Sequence, residues 1–422
     1  MRRKVLSNGL RFVHRYMPDT ALVTLDVMYG VGSRNESPDM TGIAHLFEHL
    51  MFGGSANVAD FDGVLTEAGG VSNAWTSNDF TNFHLTAPAH NAETLFYLES
   101  DRMLSPALTD ETLDIQRSVV IEEFKQQFLN APYGDLMHTL RPMVYGESHP
   151  YSWPVIGKDF KGLERVTRDD VVRWWCTHYT PHNAVLAVAG KISYDEALRY
   201  AEKWFGDISG KTMQQTYGLP VDICRNTEEI IGINTKVVYG RVPATLIIVA
   251  YLMDPYGTPD YFAADAITDV LSMGQASRFA QRINLNPDAP LVEADASITG
   301  SEGRGMLMLT ARLANEDINP DEATRFLIES ARSIITEGVS PRELQRLKNR
   351  QKAMFVIGNM TTVACAHTLA EAEIHNSTPE FRLEQYEGLT CTDIVRVATD
   401  IFDNSNPAIV YYRPLGENVN AQ

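Results

Sequence analysis

The run ALVTLDVM at 21–28 alternates like a half-buried strand, and GIAHLFEHLMFGG at 42–54 follows with apolar residues at helical spacing. A strand, a turn and a helix over 40–52 therefore open the chain, with the Gly53-Gly54 pair suited to cap that helix. Working outward, 73–85 reads as a strand rich in Thr, Phe and Asn. Residues 91–103 and 110–128 read as helices, and 130–157, punctuated by Gly134, Gly146 and Pro150, as irregular chain. A helix at 167–178, a buried-looking strand at 183–190 and a helix at 193–205 complete this half.

Glycines and polar residues over 207–225 read as a surface linker. The expected division is a first half at 1–210, a linker at 211–225 and a second half at 226–422. Beyond the linker the order repeats: 231–238 answers 10–15, 244–253 answers 21–28, 261–272 supplies the helix that follows, and 406–412 answers 183–189. The pattern is a duplication with a period of roughly 210 residues. The fold class expected is α+β, two duplicated α/β-sandwich halves, each a mostly antiparallel sheet covered by helices.

The 422 residues exceed one ordinary core, and 44% hydrophobic with 21% charged residues excludes a disordered or fibrous chain. With 36 Lys and Arg against 54 Asp and Glu, the net charge of -18 argues against nucleic acid and anionic bilayers as partners. The longest apolar runs fall far short of the roughly 20 residues of a membrane span. Four scattered cysteines give neither a disulfide framework nor a thiolate metal site. No signal peptide is read at the start, so a soluble chain of open location is expected.

Within 42–54, His45, Glu48 and His49 stand at i, i+3 and i+4 and so share one helix face. Two imidazoles one turn apart can hold a single Zn²⁺, and a carboxylate beside them can reach water in the open coordination position. The pattern is H-x-x-E-H, the reverse of H-E-x-x-H. An amphipathic helix with a Leu46, Phe47, Leu50 and Met51 core stripe is the bland reading of the same residues. A tetrahedral catalytic site wants a third protein ligand, and the helix RSVVIEEFKQQ at 117–127 offers Glu122 and Glu123. Val119, Val120 and Phe124 would form its apolar face, and adjacent carboxylates diverge by about 100°, so only one can face a metal.

These residues resemble the pitrilysin and insulinase-like zinc peptidases, the inverted zincins, and most closely the shorter branch that includes the mitochondrial processing peptidase subunits. The likeness runs through LSNGLRFVH (6–14), VGSRNESPDMTGIAH (31–45), SNAWTSNDFTNF (72–83), HPYSWPVIG (149–157) and YTPHNAVLAVAG (179–190). It implies His45, His49 and Glu123 as ligands to one Zn²⁺ per chain and Glu48 as general base. Glu122 stays the alternative ligand, because the 73 residues between His49 and Glu123 are slightly fewer than usual in the family. Gln116 stands where the family often has a further acidic residue. The resemblance also implies a clamshell of two halves, with a substrate peptide added as a strand to an exposed edge at Asn73 and Ala74.

The family's Arg and Tyr that grip substrate from the second half are missing: Asn284 and Leu291 stand at their positions, with Arg278 and Arg282 nearby. The second-half helix at 261–272 contains no His. The expectation is thus a zinc metalloendopeptidase for extended peptides, working as a heterodimer with a related, clamp-bearing subunit or else as a homodimer. A non-catalytic scaffold or chaperone-like subunit, and a zinc hydrolase of small amides, are the competing readings. His84, His149, His178 and His182 are read as packing or surface residues.

Overall fold

A computed structural model describes residues 1–209, 234–300 and 302–415. The expected linker at 211–225 and residues 231–233 lie outside the described residues. The chain divides into two units, each with its own sheet. Unit 1 is Met1–Phe124, Pro154–Leu219 and Ala353–Phe381; unit 2 is Lys125–Trp153, Pro220–Lys352 and Arg382–Gln422. Each unit thus takes one segment from the opposite half of the sequence.

Unit 1 holds six strands, β1 Arg2–Val5, β2 Arg11–Tyr16, β3 Leu22–Tyr29, β4 Val71–Thr76, β5 Thr81–Pro88 and β6 Ala184–Gly190, in the order β1-β2-β6-β3-β5-β4. Among the described residues only β2 and β6 pair in parallel. The β6 sequence AVLAVAG is buried throughout, as expected of a central strand covered on both faces. On one face Val13, Met28, Val185, Ala187 and Ala189 pack against Cys365, Ala366, Leu369 and Ala370 of helix Thr362–Ile374. Thr24 on β3 is tied to that helix by a 2.8 Å hydrogen bond from its hydroxyl to Thr362 Oγ1.

Unit 2 holds β7 Asn234–Gly240, β8 Leu246–Met253, β9 Leu291–Ile298, β10 Gly305–Leu313 and β11 Ala408–Pro414, in the order β7-β11-β8-β10-β9. Its one parallel pair among the described residues is β7 with β11. Matching β7, β11, β8, β10 and β9 to β2, β6, β3, β5 and β4 reproduces the first sheet's order and every pairing direction, so the two sheets repeat one design. Helix Leu136–Tyr145, from the first half of the sequence, covers this sheet: Leu140 and Val144 pack with Ile248, Ala250, Val410 and Tyr412. Tyr412 fixes the helix start by donating its hydroxyl to Asp135 Oδ1 at 2.9 Å.

Two sequence expectations need correction. The single strand at 73–85 is a hairpin of β4 and β5, because Ser77 makes the turn: its hydroxyl accepts the Asp79 and Phe80 amides at 3.1 and 2.9 Å, and its own amide donates to Phe80 O at 2.8 Å. The irregular chain at 130–157 contains helix Leu136–Tyr145, which tolerates Pro142 in its interior and ends at Gly146.

Candidate metal centre

Helix Ile43–Leu50 starts at Gly42, whose φ of 91° favours glycine and where a Cβ would meet Ile156 O at 2.7 Å. Ala44 donates its amide to the buried carboxylate of Glu36 at 2.9 Å, which satisfies one of the free donors of the first turn. Ile43, Ala44, Leu46, Phe47 and Leu50 are buried. That stripe turns His45, Glu48 and His49 to the opposite, partly exposed side.

Beyond the helix, Phe52 joins Phe61 and Phe83 around the guanidinium of Arg102, 5.3, 4.8 and 4.4 Å from the ring centres. Arg102 is fully buried and bonds the equally buried Glu99 through Nε and Nη2. Removing one partner of such a pair costs about 3–5 kcal/mol, so this box pins the chain that leaves the helix.

Helix Asp110–Phe124 buries Leu113, Val120 and Phe124. Val119, expected on its apolar face, is exposed. Glu123 sits one turn from Val120 and faces the histidines, whereas Glu122 is exposed. Glu123 Oε2 lies 3.9 Å from His45 Nε2 and 3.5 Å from His49 Nε2. One donor atom from each of the three lies within 4.8 Å of the other two, and among the described residues no other trio of His, Cys, Asp or Glu converges in this way. Two imidazoles meeting one carboxylate, all partly open to solvent, fit a divalent ion of the zinc type with a corner left for water. Burial, and then His49, hold the His45 imidazole down at about 4, so it is neutral and able to ligate at pH 7.

Glu48 is not part of the trio. Its Oε2 accepts the Thr76 hydroxyl at 2.5 Å, a contact that motif spacing could not reveal. Burial pushes its carboxyl above the usual range, the Thr76 bond opposes this, and Glu123 adds to it.

Thr76 ends β4, the last strand of its sheet among the described residues, so the helix that carries His45 and His49 meets an open sheet edge at this residue. The ladder to β5 begins with the bond from Ser77 N to Phe80 O, and antiparallel pairs alternate between bonded and non-bonded. Asn73 opposite His84 therefore falls in a bonded pair, and Ala74 opposite Phe83 in a non-bonded one with its amide and carbonyl toward the free edge. The Ala74 amide donates at 2.9 Å to the Asn73 side-chain oxygen.

In unit 2, Asn284 exchanges hydrogen bonds with the backbone of Ala294, and Leu291 is buried at the start of β9. Arg278 is committed to Glu343, Ser333 Oγ and Gly338 O, and Arg282 to Glu337. All three nitrogens of the Arg278 guanidinium are thereby spent, whereas half-buried Arg282 spends one N–H on Glu337.

A model of the insulinase family, peptidase family M16, matches residues 11–141, and one described as the peptidase M16 inactive domain matches 165–351. The chain is 26% identical over 415 residues to the zinc protease PqqE of Helicobacter pylori, covering 97% of this chain and 92% of that protein. It is 24% identical over 432 residues to the mitochondrial-processing peptidase subunit beta of Saccharomyces cerevisiae, covering 97% and 90%. The crystal structure of a protease from Helicobacter pylori superposes with a TM-score of 0.89 at 25% identity, covering 98% and 99% of the two chains. With both sheets, the H-x-x-E-H helix and these likenesses in agreement, the chain belongs to the insulinase family of peptidases, M16.

Proposed function

We propose that the chain is a zinc-dependent metalloendopeptidase in which His45, His49 and Glu123 hold one Zn²⁺ and Glu48 is the general base. The observation that carries this reading is the convergence of both imidazole Nε2 atoms on one Glu123 oxygen, with Glu48 on the same face of the same helix. When bound, the ion supplies a Lewis acid for the scissile carbonyl and lowers the pKa of the attacking water. Glu48, held at Oε2 by Thr76, keeps Oε1 to take the proton from that water and return it to the leaving amine nitrogen. A raised carboxyl pKa suits both transfers, since the group must accept and then give up one proton.

Substrate binds as an added strand along β4, its backbone meeting the free groups of Ala74. The Asn73 side chain occupies the Ala74 amide until the peptide displaces it. Such binding reads main chain first and suits extended, unfolded segments. The Asn284 and Leu291 replacements support a partner subunit that brings its own substrate-gripping residues, a heterodimer with a related chain; a homodimer is the rival assembly.

The test is zinc quantification with a long-peptide cleavage assay of wild type and Glu48→Gln, each alone and with candidate partners. One zinc in both proteins with cleavage only in wild type is expected. A metal-free wild type, or a fully active Glu48→Gln, overturns the assignment; zinc without cleavage under any pairing favours a scaffold.

A further inference from the structure

His178, read from the sequence as a packing or surface residue, packs on Trp174 and also lines a cavity of about 230 Å³ in unit 1 that contains none of the three candidate ligands. The cavity lies between helix Arg168–His178 and the segment that leads into helix Ile43–Leu50. Its size is below the roughly 300–1,000 Å³ of pockets for drug-sized molecules, so the occupant is small. Trp174, Met40 and Ile43 supply an apolar lining, and Trp174 and His178 pack with ring centres 4.4 Å apart. An aromatic ring suits such walls.

Beside the hydroxyls of Ser37 and Thr177, the latter already donating to Arg173 O at 2.7 Å, the unspent guanidinium, amide and imidazole groups are mostly donors. Asp170 is already consumed: its Oδ2 accepts the Thr167 amide and hydroxyl, and its Oδ1 accepts Arg173 Nη2 at 2.5 Å. Arg173 carries five N–H donors and spends one, the others finding no acceptor among the described residues. Asn35 accepts the Gly32 amide through Oδ1, and its NH₂ group finds no acceptor among the described residues. Burial holds His178 down at about 4, so its imidazole is neutral with one N–H donor, and neither ring nitrogen is hydrogen-bonded among the described residues. A site rich in unspent N–H groups around a half-exposed guanidinium selects an anionic acceptor.

We propose that this cavity binds a small aromatic carboxylate, its ring against Trp174 and Met40 and its carboxylate on the N–H groups of Arg173 and His178. The site is separate from the candidate metal centre and shares with it only helix Ile43–Leu50, whose first residue lines the cavity.

Calorimetric titration of the full chain, with and without metal chelation, uses indole-3-acetate, with indole and acetate as the ring-only and carboxylate-only probes. Indole-3-acetate is expected to bind one site equally well in both forms, and Arg173→Gln to weaken it about tenfold or more while leaving indole unchanged. Met40→Trp, which fills the cavity, is expected to abolish both. In wild-type protein labelled with ¹³C-methyl methionine, the ligand is expected to shift the resonance that Met40→Leu removes, a readout independent of how the other variants fold. No binding at about 1 mM, binding lost on chelation, binding retained in Arg173→Gln and Met40→Trp, or an unmoved Met40 resonance overturns the site.

Discussion

The two sheets repeat one strand order, yet the helices that follow β3 and β8 have opposite uses. Helix Ile43–Leu50 buries one stripe and leaves His45, Glu48 and His49 on an open side. Helix Pro259–Ser272 is buried nearly all round, and its acidic groups serve packing: Asp265 accepts the Tyr386 hydroxyl, and Asp269 accepts Arg350 and Gln351. Duplicated topology therefore fixes where a helix sits, while the exposure of one face decides whether chemistry can be placed on it.

The sharpest test of that contrast is Glu48→Gln, which removes the proposed proton carrier without changing the fold; peptide cleavage should drop about 10²–10⁴-fold while zinc content stays at the wild-type level. The reverse experiment transplants the pattern as Ala263→His, Ala266→Glu and Ile267→His. All three positions are fully buried, so the outcome expected is loss of several kcal/mol of stability and no second zinc, read by urea denaturation and metal analysis. A stable variant that binds two zinc ions would erase the distinction.

Smaller effects probe the edge of the first sheet. Thr76→Val removes the hydroxyl that holds Glu48, worth about 1.5–3 kcal/mol for a bond to a charged group, so kcat should fall about tenfold or more with zinc retained, and Thr76→Ser should restore it. Ala74→Pro deletes one edge amide; KM for a long peptide should rise a few fold, about 0.5–1.5 kcal/mol, with kcat nearly unchanged. An unchanged KM would move the peptide to another part of the molecule.

Much of this was legible in the sequence because it is local. The spacing of His45, Glu48 and His49 places them on one face wherever the helix packs, and strand periodicity marked most of the sheet. The choice between Glu122 and Glu123 was not readable in helical phase, because Val119 and Val120 both read as apolar-face residues; Val119 proves exposed, and Glu123 is the carboxylate that faces the histidines. The Thr76 contact with Glu48 was not readable, because it arises from a hairpin bringing β4 to helix Ile43–Leu50, and no short-range pattern encodes that approach. Helix Leu136–Tyr145 was hidden by Pro142 and the surrounding glycines. Nor does any local pattern say which sheet helix Thr362–Ile374 will cover.

That last helix bears on how the molecule is made. The first sheet's face is completed by residues some 340 positions later: the Thr24 hydroxyl meets Thr362, and Arg11 donates to Glu373 O at 3.0 Å. A nascent chain with every proposed zinc ligand already synthesised still lacks the cover for β2, β3 and β6, so its apolar surface must be shielded until helix Thr362–Ile374 has been made. Expressing the first half alone should yield an aggregating fragment, and adding residues 353–381 in trans is the natural attempt at rescue.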